Sequence, residues 1–290
     1  MPTVVELFAG MGSASLGMQL AGFEHVLMVE IDKQCVDTLK RNGHKHVYHG
    51  SVEEVDFAKY KGVDAVFASP PCQPWSVAGL HGGERDRRNL WPHVVRCVSE
   101  CEPHVFMFEN SSNLANKRHS PYLESLIKQF EGLGYTVTRH LVDAADHGVP
   151  MHRKRLLLIG TRTGTYAPPS PTPHITVGQA LASLGPPDGC NSHTLHTAIP
   201  RRYNGHSGST FDRPSKSLVA GCHGVGGGNC CIETSDGLRY FTPREAGMLM
   251  SLPPTYCLPT VFSVAMRQLG NACPAELVQR FALQLLPHVE

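Results

Sequence analysis

The sequence predicts an α/β fold: a mixed sheet with helices on both faces, carrying a small irregular subdomain. Three observations predict it. A strand, a glycine-rich loop and a helix follow one another at the start of the chain, at Thr3 to Phe8, Ala9-Gly10-Met11-Gly12-Ser13 and Ala14 to Ala21. Apolar runs too short for helices recur between helical stretches, and several end in a polar or reactive residue. From Thr161 to Tyr240 the composition shifts to Pro, Gly, Ser, Thr and His, as in an irregular excursion.

At 290 residues, 41% hydrophobic and 18% charged, the chain can bury one large core or two small ones. A net charge of +1 does not advertise nucleic acid, so a DNA-binding surface has to be a local basic face. The ten cysteines and seventeen histidines lack CxxC, HExxH and zinc-finger spacing, so no metal is expected. The same spacing predicts reduced thiols, in a cytoplasmic setting or, for a eukaryotic chain, a nuclear one. No signal peptide is read ahead of the first strand, and no run approaches the roughly 18–20 apolar residues of a membrane span.

In the first unit the loop glycines permit a tight turn and close backbone approach to a ligand, and Gly22 stops the helix. The loop lacks the full GxGxxG pattern, so a dinucleotide is not specifically indicated. His25 to Val29 reads as a second strand, ending in Glu30-Ile31-Asp32. An acid about 20 positions beyond such a loop is where a carboxylate accepts ribose hydroxyls. Asp32 also suits the N-cap of a helix from Lys33 to Arg41. Both hold together if Glu30 takes the ribose and Asp32 the cap.

His46-Val47-Tyr48 is a short third strand, leading to Gly50-Ser51-Val52. Val63 to Ala68 is the fourth and runs into Ser69-Pro70-Pro71-Cys72-Gln73-Pro74-Trp75-Ser76. The prolines stop the ladder. A thiol therefore sits just past the carboxyl end of a strand, where open α/β sheets bind ligands; a structural cysteine in a turn is the other reading. Gly79 to Arg88 is rich in glycine and arginine and reads as a cationic lid beside the thiol, or else as a solvated loop.

Leu90 to Cys101 is helical, and Val105 to Phe108 is a fifth strand ending in Glu109-Asn110. Tyr122 to Gly132 is helical and Tyr135 to Val142 is a strand. Met151-His152-Arg153-Lys154-Arg155 is the densest basic cluster and opens the strand Leu156 to Gly160. Two arginines two apart lie on one side of a strand and suit holding an anion or orienting a carboxylate. Beyond it, Thr176 to Leu184 reads as a short helix. Thr242-Pro243 begins another with a threonine cap and proline in its first turn. Arg267 to Pro274 leads into a terminal helix, Ala275 to Leu286.

Taken in order, these segments resemble the motifs of the cytosine-C5 DNA methyltransferases. Glu6-Leu7-Phe8-Ala9-Gly10-Met11-Gly12-Ser13 resembles the family's cofactor loop, and Pro70-Pro71-Cys72-Gln73-Pro74-Trp75-Ser76 its nucleophile loop. Glu109-Asn110-Ser111 is similar to its Glu-Asn-Val motif and Arg153-Lys154-Arg155 to its arginine motif. Asp212-Arg213-Pro214-Ser215, Phe241 to Ala246 and Gly270-Asn271-Ala272-Cys273-Pro274 resemble the closing motifs. The resemblance implies a Rossmann-like class I methyltransferase sheet, with residues 1–163 and 264–290 as the catalytic, cofactor-binding domain. Residues 164–263 would form a small target-recognition subdomain and hinge.

It further implies S-adenosylmethionine as cofactor, S-adenosylhomocysteine as product, and C5 of a cytosine in DNA as acceptor. Cys72 would be the nucleophile that adds to C6 of a flipped base, Glu109 would bond cytosine N3 and the 4-amino group, and Arg155 and Arg153 would support them. Phe8, Ala9, Gly10 and Gly12 would surround the methionine moiety, with Leu16 below. Glu30 would hold the ribose, with Ile31, Ser51 and Val52 at the adenine. Pro71 and Leu90 would complete the wall, and Asn271 and Cys273 would close it, so the terminal helix must pack beside the first glycine loop. Ser76, Arg85, Arg87 and Arg88 would meet DNA from the lid, and Arg201, Arg202 and Tyr203 would read it.

Ser51 stands where the family usually has an aspartate, and Met151 replaces a glutamine, predicting a less tethered arginine pair. The stretch between Arg155 and Asp212 leaves little to read a major groove. A monomer acting on DNA is the expectation, with an accessory specificity partner as an alternative. The same chemistry on RNA and a catalytically weak DNA-binding homologue are the rival functions. A dehydrogenase is disfavoured by the missing third glycine.

Overall fold

The computed structural model describes residues 1–73, 86–200, 208–220 and 228–289. Seven strands form one sheet: β1 (Thr3–Leu7), β2 (Glu24–Glu30), β3 (Val47–His49), β4 (Ala65–Ala68), β5 (Val105–Ser111), β6 (Thr136–Asp143) and β7 (Lys154–Thr161). They lie in the order β3-β2-β1-β4-β5-β7-β6, and β7 alone runs antiparallel to its neighbours. The chain winds outward from β1 through β2 to β3, then restarts at β4 on the other side of β1. The β1/β4 junction is thus the switch point of the sheet, and its carboxyl edge is the crevice where such folds bind ligands.

Alternation along the strands divides the core between two faces, because successive side chains point to opposite sides. Val4, Phe67, Met107, Leu157 and Ile159 pack on one face with α1 (Ser13–Leu20) and α8 (Ala275–Leu283). Val5, Leu7, Val66, Phe106, Phe108, Leu156 and Leu158 pack on the other with α3 (Trp91–Cys101) and α4 (Ser120–Gly132). The helix α2 (Lys33–Arg41) presents Leu39 to Ala9 and Met28. The terminal helix does pack beside the first glycine loop. A Cβ on Gly17 of α1 would lie 2.4 Å from the Ala275 carbonyl oxygen, so only glycine allows this approach, and Ser13 Oγ donates to the Cys273 carbonyl at 2.7 Å.

Several sequence expectations are corrected. β5 continues through Glu109 and Asn110 to Ser111, because β7 pairs with all three: Glu109 opposite Leu157, Asn110 opposite Leu156 and Ser111 opposite Arg155. A helix, α7 (Phe262–Asn271), precedes the Gly-Asn segment where only a lead-in was expected; its start has no side-chain cap to announce it. Within the excursion, α5 (Val177–Leu181) is shorter than expected, and a hairpin of β8 (Cys231–Thr234) and β9 (Gly237–Tyr240) was not foreseen. α6 (Pro243–Leu249) has the expected Thr242 cap, closed into a full capping box by Glu245.

Cys230 is disulfide-bonded, against the expectation of reduced thiols throughout. Sequence spacing says nothing about thiols that loops bring together. Leu218 of the excursion, with Phe241 and Leu249 just after it, shares the core cluster of Val4 and Met11. Among the described residues no helix is long and apolar enough to cross a membrane, and no group of three His, Cys, Asp or Glu residues could hold a metal ion.

Candidate active site

A cavity of about 350 Å³ opens at the carboxyl edge of β1, β2, β4 and β5. One end is built by the glycine loop. Phe8 (φ 59°), Gly10 (φ 57°) and Gly12 (φ 92°) all take the left-handed conformation, which turns the chain sharply between β1 and α1. Phe8 is the strained member, at a cost of roughly 1–3 kcal/mol for a non-glycine residue. Phe8, Ala9, Gly10 and Met11 line the cavity.

Glu30, at the end of β2 and only 8% exposed, anchors this loop. Its Oε2 accepts from the Gly10 N–H and its Oε1 from the Asp32 N–H, each at 2.7 Å. Burial pushes its carboxyl above the usual range, and the two backbone donors counter without cancelling it. Asp32 caps α2 through the Gln34 N–H and pairs with Arg267 of α7 at 2.8 Å. Burial would raise its pKa, but the Arg267 and backbone bonds outweigh that and hold it below the ordinary value.

Ile31, Ser51, Val52, Leu90, Asn271 and Cys273 also line the cavity. Ser51 spends its hydroxyl as the cap of a short 3-10 turn, accepting from the Glu53 N–H at 3.2 Å. Two expected wall residues face elsewhere. Gly12 turns its bare Cα towards the protein, where a Cβ would lie 2.6 Å from the Tyr256 hydroxyl. Leu16 packs into the core on the helix side. Neither lines the cavity.

The other end of the cavity gathers Pro70, Pro71, Cys72, Glu109, Arg153 and Arg155. Asn110 Nδ2 donates to the Pro70 carbonyl at 3.0 Å, which ties the proline turn to β5. Arg155 Nε meets Glu109 Oε1 at 2.5 Å, a cross-strand ion pair. Cys72 is exposed, yet the protein packed around its thiol raises the pKa above that of a free thiol. The Glu109 charge adds to this rise, and Arg155 opposes it. The positive neighbours therefore produce no net lowering.

Arg153 differs from its neighbour and corrects the expectation of a phosphate or anion contact. It is 2% exposed. Nη1 donates to the Leu218 carbonyl at 2.8 Å and to Ser217 Oγ at 3.2 Å; Nη2 donates to the carbonyls of Gly270 (2.7 Å) and Ala272 (2.8 Å). Burial, with the Arg155 charge, pulls its pKa down to about 9. This side chain joins the excursion to the Gly-Asn segment. Met151 is buried, and Arg153 is nonetheless held through both Nη atoms, its buried Nε being without a partner among the described residues, against the looser pair expected.

Of the residues assigned to nucleic acid, Arg87 and Arg88 are exposed. Arg88 Nη2 pairs with Asp86 Oδ2 at 2.6 Å, which lowers the Asp86 pKa to about 2. Ser76, Arg85, Arg201, Arg202 and Tyr203 lie outside the described residues. Sequence reasoning missed Cys35, Arg267 and Gln268 as lining residues. The last two stand just before Gly270-Asn271, so a helix assigned there would have found them.

Known proteins resemble this chain over most of its length. The family described as C-5 cytosine-specific DNA methylase matches residues 2–187. The type II methyltransferase M.AplI of Arthrospira platensis is 30% identical, covering 96% of this chain and 84% of its own. M.NgoFVII of Neisseria gonorrhoeae is 27% identical, covering 99% and 87%. The crystal structure of the S. pombe Dnmt2 methyltransferase has a TM-score of 0.75 at 17% identity, covering 99% of each chain, a likeness of fold.

Proposed function

This chain belongs to the C-5 cytosine-specific DNA methylase family and is a DNA (cytosine-5-)-methyltransferase; from that premise we propose that it uses S-adenosylmethionine and attacks a flipped cytosine through Cys72. The observation that carries this reading is one cavity with a buried ribose-type carboxylate, Glu30, at one end and Cys72, Glu109 and Arg155 at the other. The residues fit the cofactor: each Glu30 oxygen accepts one backbone N–H and keeps a second lone pair for a ribose hydroxyl. Phe8, Ile31, Val52 and Leu90 offer apolar wall beside it. When bound there, the cofactor supplies an electrophilic methyl group.

Cytosine C5 is a poor nucleophile, and addition of the Cys72 thiolate at C6 makes C4–C5 an enamine whose C5 takes the methyl group. Loss of the C5 proton to a base then restores the double bond and expels the thiolate. Glu109 holds the N3 and 4-amino edge of the ring, and Arg155 holds Glu109. A base inside a duplex cannot reach Cys72, so the target is extruded at a cost of a few kcal/mol. Residues 1–163 and 264–290 are assigned to cofactor and catalysis, and 164–263 to the target. Arg87 and Arg88 sit where the lid rejoins α3 and are assigned to phosphates.

The second reading, RNA as acceptor, is favoured by the short stretch between Arg155 and Asp212, whose described residues hold one regular helix, α5. One experiment tests both. Duplex DNA and tRNA are each incubated with labelled S-adenosylmethionine and wild-type or Cys72→Ala protein. Label is expected as 5-methylcytosine in DNA, with a loss on the order of 10⁴-fold in the variant. A DNA containing 5-fluorocytosine is expected to trap a covalent complex with the wild type. Transfer to tRNA alone would replace the DNA reading, and transfer by Cys72→Ala at the wild-type rate would remove the nucleophile.

A further inference from the structure

The turn after α6 reaches across the molecule to the underside of the glycine loop. Tyr256, 5% exposed, donates its hydroxyl to the Met11 carbonyl at 2.6 Å. Met11 itself lines the cavity on its other side. The same hydroxyl abuts Gly12, where a Cβ would come within 2.6 Å of it. Next in the chain, Cys257 and Asn42 bond each other reciprocally: the Cys257 N–H to Asn42 Oδ1 at 2.8 Å, and Asn42 Nδ2 to the Cys257 carbonyl at 3.0 Å. Asn42 is the C-cap of α2, whose other end carries Asp32 at the cavity. Buried Arg244 steadies the turn, reaching the Pro253 carbonyl at 3.5 Å and the Asn191 carbonyl at 3.0 Å. Residues 253–257 therefore touch both elements that frame the cofactor end.

This contact answers a mechanical need. Within five residues the loop holds three left-handed backbones, one of them the strained Phe8, and such a conformation persists only when its surroundings over-determine it. Glu30 holds the loop from the cavity side through the Gly10 N–H. Tyr256 holds it from the opposite side through a carbonyl. Burial pushes the tyrosine hydroxyl far above its usual pKa, so it remains a donor throughout the working range.

We propose that Tyr256 is a positioning residue for the cofactor: its bond to the Met11 carbonyl keeps the 8–12 loop in the ligand-receptive shape. It touches neither cofactor nor target and acts through the loop backbone. The inference rests on the cofactor reading given above.

Tyr256→Phe removes the hydroxyl and keeps the ring. Titration calorimetry with S-adenosylhomocysteine is expected to show a Kd raised about 3- to 10-fold, the size of one lost hydrogen bond. The cofactor KM should rise in parallel, while kcat at saturating cofactor and DNA affinity stay within about twofold of wild type. Asn42→Ala loosens the turn without touching the loop and should raise the same Kd less than Tyr256→Phe does. Wild-type affinity in Tyr256→Phe overturns the proposal, as does an equal loss of kcat and DNA affinity, which marks general loosening. A wild-type protein that binds no S-adenosylhomocysteine refutes the cofactor reading itself, and this inference with it.

Discussion

At the cofactor end of the cavity, polar groups are held by backbone. Glu30 accepts from Gly10 and Asp32, Tyr256 donates to Met11, and Ser13 donates to Cys273. At the target end Arg153 and Asn110 also bond backbone carbonyls, but the group facing the exposed thiol is a side-chain ion pair, Arg155 with Glu109. The loop that continues from that thiol lies beyond the described residues. The first end is preformed for a ligand of fixed shape. On the proposed function, the second end keeps its ion pair where the target base would meet it.

The largest test of this contrast is Arg153, which looks catalytic by position and is structural by contact. Arg153→Ala strands acceptors in the excursion and the Gly-Asn segment. Urea unfolding should show a loss of roughly 3–5 kcal/mol, the size expected when a buried hydrogen-bonded charge is removed. A variant with wild-type stability and no activity would return Arg153 to the chemistry.

Next comes Glu30→Ala. Charge-assisted bonds are worth about 1.5–3 kcal/mol, so S-adenosylhomocysteine affinity should fall about 10- to 150-fold with DNA affinity unchanged. Equal losses for both ligands would show that the two ends are not separate.

The smallest effect is in pH. The Cys72 thiol is raised by burial first and by Glu109 second, against Arg155. Below its pKa a thiolate gains tenfold per pH unit, so the single-turnover rate should climb roughly tenfold from pH 7 to pH 8 without levelling. A plateau already reached below pH 7 would mean that Arg155 prevails once the target is bound.

Much of the cofactor end was legible in the chain. Glycines 10 and 12 and the trailing Glu30 and Asp32 are local signals, tied to a turn and to the end of one strand. The capping job of Asp32 was also readable, because a capping residue is set by its immediate neighbours. That Gly12 does not line the cavity has a non-local reason: the space beside its Cα is filled by Tyr256, far away in the chain. Arg153 and Arg155 share a spacing and a strand side. Their burial and partners come from segments near residues 218 and 270 for one and from β5 for the other.

By itself the sequence determined the alternating strands, the helix caps and the order in which reactive residues reach strand ends. These depend on side-chain period and local backbone chemistry, which a chain carries wherever it goes. Only the tertiary structure decided that the switch point falls between β1 and β4, that α7 brings Arg267 to the cavity, and that Tyr256, from the turn after α6, bonds the glycine loop. The last two are contacts between residues more than two hundred positions apart, and they form only when burial of the shared core outweighs the entropy of closing such long loops.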